Sequence, residues 1–570
     1  MESRWEIQVL NPQQIMVRDC LAKELNISKT AAALLVRRGL ETAEQARTFI
    51  RPSLEQLHDP FLMRDMDKAV TRLSAAIEKN ERILIYGDYD VDGTTAVALV
   101  YTFLYKHYQN IDFYIPDRYK EGYGVSFQGI DFAAETKCKL IIALDCGIRS
   151  IDKVEYAKNK GIDFIVCDHH LPGDNIPDAI AVLDAKRKDN TYPFEELSGC
   201  GVGFKLMQAY AIRHNIAKEE LHSILGLTAM SIASDIVPVI DENRVLAHFG
   251  ICQLNEHPSI GQQQLMQLSG IGQGRLQMND LLYRIGPRIN ACGRIRSGRE
   301  AVQLLITTDP QEAATISNIV NENNETRRSF DQSITASALD MLRSDPENDM
   351  RCSTVVCGQQ WHKGVVGIVA SRLIETYYRP TIVLTEQDGM VSGSARSVGG
   401  FDIYSAIDSC SDLLTNFGGH IYAAGLSMKS ENLEPFKERF EQYVATHILP
   451  EQKQPIIQAE AEIDFADITA PFFNVIRHLQ PFGPKNPCPV FVTRNVCNYR
   501  YTRAVGKNAE HLKLDVTDRT GAMQGIAFGR GDLANDLCNG KNADICYELQ
   551  QNTFNGNTSL QMMVQDIKIR

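Results

Sequence analysis

The sequence lacks a long apolar run, a paired cysteine motif and an excess of positive charge. No run approaches the roughly 18 apolar residues of a membrane-spanning helix, and the first residues form no apolar signal core. We therefore expect a cytoplasmic protein with no membrane contact. Its 14 cysteines include no Cys-x-x-Cys pair, and Cys146, Cys167 and Cys200 fall in apparent strands or tight loops. This pattern predicts reduced, mostly buried thiols and argues against a disulfide framework or a structural zinc site.

The net charge of −12 argues weakly against a general nucleic-acid binder, whose surface is usually basic. The charge is uneven, however, because residues 284–299 carry five arginines and no acidic residue. Aspartates clustered around a metal would also contribute to the negative total. An acidic protein with a local basic path is compatible with binding a phosphodiester strand.

The length of 570 residues implies several domains, and 44% hydrophobic with 23% charged residues is typical of a globular protein. We predict an α/β protein with a doubly wound parallel-sheet domain, a second smaller α/β domain joined by a long helix, and a C-terminal OB-like β-barrel. The predicted boundaries are a helical N-terminal segment at 1–60, the first domain at 61–307, the linker helix at 308–347, the second domain at 348–452 and the barrel at 453–570.

Acidic and histidine residues end three predicted strands of the first domain. Asp88, Asp90 and Asp92 follow the apolar run 83–86 and precede a predicted helix from Thr94 to about Tyr108. Asp145 closes the run 140–144, and Asp168-His169-His170 follows the run 164–167. Apolar strands that alternate with helices indicate a parallel sheet, whose ligands bind beyond the carboxyl ends of the strands. The three strand ends therefore predict one site.

The remaining domains are predicted from shorter signals. The linker helix begins at Asp309 as N-cap and Pro310 as first helical residue. The second domain has predicted strands at 354–357 and 381–385, a helix at 364–377, and Gly/Ser-rich turns at 389–400 and 417–419. Short alternating segments after residue 455 predict barrel strands, and Asn555-Gly556 marks a hairpin turn.

Carboxylates and imidazoles without a thiolate are ligands that suit Mn²⁺ or Mg²⁺, and less specifically Zn²⁺ or Fe²⁺. Two divalent cations about 3.5–4 Å apart can assist an in-line phosphoryl displacement. Asp145, at the middle strand end, is the candidate carboxylate to bridge such a pair. Asp235, an isolated acid in an apolar setting before Pro238, is a further candidate ligand from a helix end.

Each of these residues also has an ordinary structural interpretation. Asp88, Asp90 and Asp92 could be helix caps, and they resemble part of a calcium loop whose remaining spacing and glutamate are missing. His169 and His170 could be a hydrogen-bonded pair in a turn. Asp235 alone fits an ordinary helix cap. The predicted convergence of all of them at one sheet edge favours a site.

Several motifs, in order, carry a family resemblance. Tyr86-Gly-Asp-Tyr-Asp-Val-Asp-Gly93, Leu144-Asp-Cys-Gly147, Asp168-His-His170 and Ala233-Ser-Asp-Ile-Val-Pro238 resemble the DHH phosphoesterase superfamily. The segments 286–294, 361–372, 392–397, 418–420 and 423–425 resemble the second, DHHA1-like domain found with it. With the terminal barrel, the resemblance covers nearly the whole chain and is most specific to the bacterial single-strand-specific 5′→3′ DNA exonucleases of this superfamily.

The resemblance implies a metal-dependent exonuclease of DNA repair and recombination that uses two divalent cations, Mn²⁺ or Mg²⁺. The implied metal ligands are Asp88, Asp90, Asp92, Asp145, His169 and Asp235. His170 is implied to hold or polarise the scissile phosphate, so that His170, Asp145 and Asp92 form the catalytic set. The implied substrate-binding residues are Arg118, Arg288, Asn290, Arg294, His362, Ser394, Arg396 and His420.

One position departs from the family pattern. Related members often carry His as a metal ligand at the position of Tyr86, four residues before Asp90. Either one metal has a protein ligand fewer here, or Asp88 or a water replaces that ligand.

Two other functions remain open from the sequence. One is a small-substrate phosphoesterase acting on nanoRNA, cyclic dinucleotides or pyrophosphate, which the length and the barrel disfavour. The other is a non-catalytic nucleic-acid-binding scaffold, which the intact acids and histidines disfavour. The resemblance implies single-stranded DNA as partner of a monomer, and further a single-stranded-DNA-binding protein and a RecQ-type helicase, which composition does not show.

Overall fold

The structure, a computed structural model, describes residues 3–272, 274–554 and 557–570. The N-terminal segment and the sheet of the first domain consist of β1 (Arg4–Ile7), α1 (Pro12–Leu25), α2 (Lys29–Arg37), α3 (Ala43–Ile50), α4 (Met66–Glu78), β2 (Ile83–Gly87), α5 (Val91–Tyr105), β3 (Ile111–Tyr114), α6 (Phe127–Glu135), β4 (Leu140–Leu144), α7 (Ile151–Asn159), β5 (Asp163–Cys167) and β6 (Ala181–Leu183).

The strands of the first domain form a parallel sheet in the order β3-β2-β4-β5-β6. Alternate residues face opposite layers, so Ile83 and Ile85 join the larger hydrophobic core while Leu84 and Tyr86 join a smaller one. With both faces covered, the edge beyond the carboxyl ends of β2, β4 and β5 remains available for a ligand. The predicted doubly wound sheet is confirmed.

Helices complete the first domain and lead out of it. They are α8 (Gly199–Arg213), α9 (Lys218–His222), α10 (Leu225–Ser234), α11 (Asp241–Glu256), α12 (Ile260–Leu268), α13 (Met278–Asp280), a π-helical turn at Leu281–Ile285, α14 (Gly286–Ile295), α15 (Arg299–Ile306) and the long linker α16 (Pro310–Ser344). Asp309 caps α16 by accepting a hydrogen bond from Gln311 N at 2.9 Å.

The second domain and the barrel follow the linker. Their elements are β7 (Thr354–Gln359), α17 (Val366–Thr376), β8 (Thr381–Gln387), β9 (Met390–Arg396), α18 (Ile403–Asp408), β10 (Asn416–His420), β11 (Ala423–Lys429), α19 (Leu433–His447), β12 (Ile456–Ala459), β13 (Ala461–Glu462), α20 (Ala470–His478), β14 (Val490–Asn498), β15 (Arg503–Val505), β16 (His511–Thr517), β17 (Ala522–Ala527), α21 (Ala534–Cys538), β18 (Ala543–Phe554) and β19 (Asn557–Ile569).

The second domain is a mixed sheet in the order β10-β11-β9-β8-β7. A bidentate ion pair from Arg372 of α17 to the buried Asp331 of α16, with both contacts at 2.8 Å, fixes this domain on the linker. The predicted turns at 389–400 and 417–419 are wrong over most of their length. Residues 390–396 and 416–420 are strands, because their backbone groups pair with β8 and β11 although their Gly/Ser composition is typical of turns.

The C-terminal sheet runs β13-β14-β18-β19-β17-β16-β15 and closes on itself through β14 and β16, which confirms the OB-like barrel. The predicted turn at Asn555-Gly556 lies outside the described residues. The N-terminal segment packs on this barrel: Leu34 and Leu35 of α2 share a core with Phe472 of α20. The segment is mostly helical, as predicted, and it also contributes the strand β1, which pairs with β12.

Two further differences concern the first domain and its cysteines. Helix α5 begins at Val91, three residues before the predicted start at Thr94, because Asp90 serves as its N-cap. Asp92 therefore lies within the helix. The described cysteines are all free, and Cys146, Cys167 and Cys200 are buried as predicted. In the described part of the chain, no helix combines the length and apolar character needed to cross a bilayer.

Arg38 provides a test of the interface between the N-terminal segment and the barrel. Its guanidinium lies 3.1 Å from Glu460 and 2.7 Å from Asn486 Oδ1, with Arg38 and Glu460 side chains 4% and 9% exposed. We expect Arg38→Ala to lower the free energy of unfolding by about 3–5 kcal/mol, because it leaves a buried carboxylate unpaired. Urea unfolding measures this loss, and Arg4→Ala in the exposed Arg4–Glu6 pair is the control. Equal effects of the two variants would contradict the buried-pair account.

Candidate active site

Asp145 and His169 lie at the centre of the carboxyl edge of the sheet. Asp145 follows β4 with a φ of 59°, a left-handed conformation that turns its carboxylate across the end of β5. Its Oδ1 lies 3.2 Å from His169 Nε2, and the same nitrogen lies 3.6 Å from a carboxylate oxygen of both Asp92 and Asp235. Three carboxylates thus converge on one imidazole nitrogen.

Asp92 is held in place by the start of helix α8. Its carboxylate accepts hydrogen bonds from Gly199 N and Cys200 N, each at 2.7 Å, and from Ser231 Oγ at 2.8 Å. These amides carry the positive end of the helix dipole and favour an anion. A Cβ on Gly199 would lie 2.6 Å from Asp145 Oδ1, so glycine is required for this approach.

The surrounding acids raise one another's pKa values. Burial, and next the charge of Asp90, raise the pKa of Asp88 to about 8. Burial, and next the charges of Asp92 and Asp90, raise the pKa of Asp235 to about 8. Burial and Asp92 raise the pKa of Asp145 well above its usual range. The raised pKa values show that these carboxylates repel one another when ionised, and a bound cation would relieve that repulsion.

Unsatisfied buried atoms show that these residues fit divalent cations. Asp145 Oδ1, Asp88 Oδ2 and both ring nitrogens of His169 have no hydrogen-bond partner among the described residues. Ligand atoms of Asp145, His169 and His170 lie within 4.8 Å of one another, as do those of Asp92, His169 and Asp235. Carboxylate oxygens with imidazole suit Mn²⁺, and carboxylates suit Mg²⁺.

Asp168 and His170 form a separate pair beside this cluster. Asp168 Oδ1 lies 2.7 Å from His170 Nδ1, and its Oδ2 accepts from Ile148 N at 2.9 Å. Burial opposes ionisation, but the hydrogen bond and charge of His170 lower the pKa of Asp168 to about 2. Burial alone would lower the pKa of His170, and the hydrogen bond to Asp168 raises it to about 9. Asp168 therefore orients His170 and favours its protonated form.

Arginines form the opposite wall of the same cavity. Arg118, Asn290 and Arg294 line it together with Asp90, Asp92 and Asp235. Among the described residues, neither Arg118 nor Arg294 has an acidic partner within 4.0 Å. Instead, Arg118 lies over the Tyr89 ring, 5.1 Å from its centroid. Burial, and next the charges of Arg118, Arg327 and Arg396, lower the pKa of Arg294 to about 10. Such a wall can bind an anion.

The predicted substrate residues of the second domain do not line this cavity, but a contact from Arg294 connects it to that domain. Arg294 Nη1 donates to Gly364 O at 3.3 Å. Gly367, three residues after Gly364, lies directly against Ser394 and Arg396. A Cβ added to Gly367 would be 2.9 Å from an Arg396 nitrogen and 3.3 Å from Ser394 Oγ. His420 is exposed and stands in register with Ala423, which pairs with Arg396. His362 stacks on Phe330 of the linker at 5.0 Å. Ser394 and Arg396 thus face the start of α17.

Arg288 and Tyr86, also singled out from the sequence, lie away from the cavity. Arg288 does not line it: its guanidinium donates to the carbonyl oxygens of Leu268, at 2.9 Å, and Arg284. Tyr86 faces the smaller core, where its hydroxyl donates to Gly124 O at 3.0 Å. Tyr86 is therefore no substitute ligand, and the buried, unpaired Oδ2 of Asp88 remains available near the same position.

Several residues of the site were missed by the sequence analysis. Tyr89, Tyr123 and Ser234 line the cavity, and Tyr123 OH lies 3.1 Å from His170 Nε2. Gly199 and Cys200 hold Asp92. The run Ser198-Gly-Cys-Gly-Val-Gly203 was a detectable signal, since serine followed by glycines at a helix start is typical of anion contacts.

Comparisons with known proteins agree with this architecture. Residues 82–232 match the DHH family N-terminal domain, residues 349–446 match the DHHA1 domain, and residues 459–566 match the RecJ OB domain. The single-stranded-DNA-specific exonuclease RecJ of Bacillus subtilis is 35% identical over 99% of this chain and 71% of its own length. The chain belongs to the RecJ family.

Other RecJ proteins extend the comparison. The single-stranded-DNA-specific exonuclease RecJ of Salmonella typhimurium is 32% identical over 94% of this chain and 95% of its own length. The crystal structure of Thermus thermophilus RecJ in complex with Mn²⁺ superimposes with a TM-score of 0.83 at 25% identity, covering 99% of this chain and 79% of that one. The RecJ fold therefore extends over all three domains.

The raised carboxyl pKa values predict pH-dependent metal binding. Asp88 and Asp235, with pKa values of about 8, must release protons before they can act as ligands. We expect Mn²⁺ affinity to rise by about tenfold per pH unit for each displaced proton up to pH 8 and to level off above it. Isothermal titration calorimetry at pH 6.5 and 8.5, in buffers of different ionisation enthalpy, measures affinity and proton release. A pH-independent affinity would contradict the assignment.

Proposed function

We propose that this chain is a divalent-metal-dependent exonuclease that hydrolyses single-stranded DNA from its 5′ end. One observation carries the proposal: an acidic cluster suited to cations and a wall of unpaired arginines line one cavity. A phosphodiester is the substrate that needs both, since its charge is bound by arginine and its hydrolysis is assisted by cations. Its RecJ relatives carry the name of single-stranded-DNA-specific exonucleases.

The proposed ligands are Asp90, Asp92, Asp145, His169 and Asp235, with Asp88 at the margin of the group. Mn²⁺ or Mg²⁺ bound there would supply an activated water and neutralise charge on the phosphate. Asp145 is the proposed bridge because its carboxylate lies centrally, 3.2 Å from His169 Nε2. Asp92 is fixed by the α8 amides and positions its neighbours.

His170 is the proposed phosphate contact. Asp168 holds its Nδ1 at 2.7 Å, so the ring orientation is set and the imidazolium is favoured. A cationic donor with a fixed direction can stabilise the negative charge that develops on non-bridging oxygens. This role agrees with Asp168 lying outside the proposed ligand set.

The 5′ end of the strand is proposed to bind between the two α/β domains. Arg118, Asn290 and Arg294 would contact the phosphates near the acids, and Ser394 with Arg396 would contact the terminal phosphate at the start of α17. Arg118, Arg294 and Arg396 have no carboxylate partner among the described residues, so their guanidinium groups can form two-pronged bonds with phosphate oxygens. His362 and His420 are proposed to border this path, and Arg288 is proposed to support it by holding α14 to Leu268.

Contacts around Tyr119 and Arg294, two of which reach the second domain, support the proposed preference for single strands. Tyr119 OH donates to Arg294 O at 2.5 Å, and the Tyr119 ring lies 6.0 Å from that of His362 in the second domain. Together with the bond from Arg294 to Gly364, these contacts bridge the cleft beside the acids. We propose that a single strand enters this bridged cleft and that a duplex must separate first. The barrel would extend the path for stacked bases.

Nuclease assays distinguish this proposal from the alternatives. Single-stranded, duplex and dinucleotide substrates labelled at the 5′ end are incubated with Mn²⁺, Mg²⁺ or EDTA. We expect metal-dependent release of 5′ nucleotides from single strands alone. Preferential cleavage of dinucleotides would identify a small-substrate phosphoesterase, and binding without cleavage would identify a scaffold.

Substitution of Asp145 tests the proposed bridge. We expect Asp145→Asn to reduce turnover below about 10% of the unsubstituted level, because an amide cannot bridge two cations as a carboxylate does. Single-turnover kinetics and Mn²⁺ stoichiometry measure the effect. Asp163→Asn, at the opposite end of β5, is the matched control. Full turnover in Asp145→Asn would remove the residue from the bridging position.

Substitution of Arg396 tests the proposed 5′ site. We expect Arg396→Ala to raise KM for 5′-phosphorylated strands by about ten- to a hundredfold, the value of a charge-assisted hydrogen bond, with Mn²⁺ binding unchanged. For a strand with a 5′-hydroxyl, which lacks the terminal phosphate, KM should rise much less. Arg439→Ala, an exposed arginine paired with Asp412, is the control. An unchanged KM would place the terminal phosphate elsewhere.

Further partners remain predictions. A single-stranded-DNA-binding protein and a RecQ-type helicase are proposed from the family resemblance, together with a monomeric state and a cytoplasmic location. Co-purification with each protein tests the partners, and light scattering of the purified chain tests the oligomeric state.

A further inference from the structure

Tyr86 occupies a position next to the acidic cluster without facing it. It lies on β2 two residues before Asp88 and is fully buried, with its ring stacked on Tyr114 at 5.4 Å. Its hydroxyl donates to Gly124 O at 3.0 Å and accepts from Ser126 N at 3.1 Å. Both partners belong to the loop at residues 117–126, so the hydroxyl is directed at a loop.

The loop at residues 117–126 is a hydrogen-bonded unit. Glu121 accepts from Ser126 Oγ at 2.6 Å and from Tyr114 OH at 3.0 Å, and its other oxygen accepts from Asp117 N at 2.8 Å. These bonds tie the two ends of the loop together. The bonds from Tyr86 then fix the whole unit to the central sheet, at the end that carries the acids.

Tyr123 is the residue that this loop presents to the cavity. It stands between Gly122 and Gly124, whose φ values of 89° and 78° project its side chain outward. The side chain is 57% exposed, lines the cavity with Asp90 and Asp235, and makes its hydroxyl contact with His170 Nε2 at 3.1 Å. An exposed tyrosine with so little burial contributes little to the core.

Tyr123 completes the fixation of His170. Asp168 holds Nδ1 and Tyr123 holds Nε2, so the imidazole is restrained at both nitrogens. The Tyr123 ring also packs edge-on against Tyr89, whose centroid lies 6.2 Å away. Because Tyr89 carries Arg118 on its face, the loop aligns the histidine with the arginine wall.

From this chain of contacts we infer that Tyr86 is a positioning residue of the nuclease: it anchors the loop at residues 117–126, so that Tyr123 sets the orientation of His170 toward the scissile phosphate. The inference rests on the proposed function. With Nδ1 bound to Asp168, His170 can reach the phosphate only through Nε2, so the phosphate would share or displace the Tyr123 bond that orients the ring.

Two substitutions test the inference by removing single hydroxyl groups. Tyr86→Phe and Tyr123→Phe keep the rings and their packing. We expect each to lower kcat by about tenfold, as the loss of one oriented hydrogen bond does, with KM and Mn²⁺ stoichiometry unchanged. Because both act through one loop, the double variant should be no slower than the slower single variant.

Tyr108→Phe is the matched control. Tyr108 is also buried and donates to a backbone carbonyl, that of Glu81 at 2.6 Å, but at the opposite end of the sheet. We expect Tyr108→Phe to lower the melting temperature as much as Tyr86→Phe does, but to keep full kcat. Hydrogen–deuterium exchange of residues 117–126 should accelerate in Tyr86→Phe and stay unchanged in Tyr108→Phe.

Specific results would overturn the inference. Full kcat in Tyr86→Phe, loss of bound Mn²⁺ in that variant, or multiplicative effects in the double variant would each do so. Unchanged exchange in the loop of Tyr86→Phe would equally exclude an anchoring role. If the unsubstituted protein cleaves no strand with any metal, the proposed function fails, and the exchange experiment still decides whether Tyr86 anchors the loop.

Discussion

Repulsion between carboxylates held out of water at one sheet edge is the constraint on which the rest of the structure depends. Asp92, Asp145 and Asp235 approach one imidazole nitrogen within 3.6 Å, an arrangement that is costly without compensation. The amides of α8 compensate part of it. The arginines could compensate the rest by collapsing onto the acids, but the structure keeps them apart. A Cβ on Gly293 would meet Tyr89 O at 2.5 Å, so α14 is packed closely and holds Arg294 on the far wall.

This separation explains why the site can bind two kinds of charge. Acids without a lysine or arginine partner suit metal ions, and Arg118 and Arg294, which have no acidic partner among the described residues, suit phosphate. Tyr89 lies between the two sets and supports Arg118 on its ring face. If the arginines moved onto the acids, their charges would cancel and the cavity could bind neither ion. The close backbone packing that keeps the two sets apart is therefore needed for binding.

The sequence was sufficient to predict the sheet edge and most of its acids. Apolar runs ending in Asp or His define strand ends, and parallel pairing brings those ends together.

The sequence could not show that Gly199 and Cys200 bind Asp92, because they lie 107 and 108 residues further along the chain. Nor could it separate the arginines of one segment: on α14, Asn290 and Arg294 are four residues apart and share a face, whereas Arg288 points elsewhere. In the second domain, the glycine and serine residues at 390–396 suggested turns. They form a strand because they pair with β8 and β11, and local composition does not show such pairing. The residue boundaries of the domains remain predictions.

The contact between the N-terminal helices and the barrel has a consequence for synthesis on the ribosome. Arg38 and Glu460 are 422 residues apart in the sequence, and the apolar face of α2 packs against residues of α20. At about 5–20 residues per second, the ribosome takes roughly 20–80 s to supply that partner. During this interval Leu34 and Leu35 have no barrel to pack against. The first α/β domain, which lies between the N-terminal helices and the barrel in the chain, can already fold. Helices α1 and α2 are therefore packed only after the barrel has been synthesised, although they are made before it.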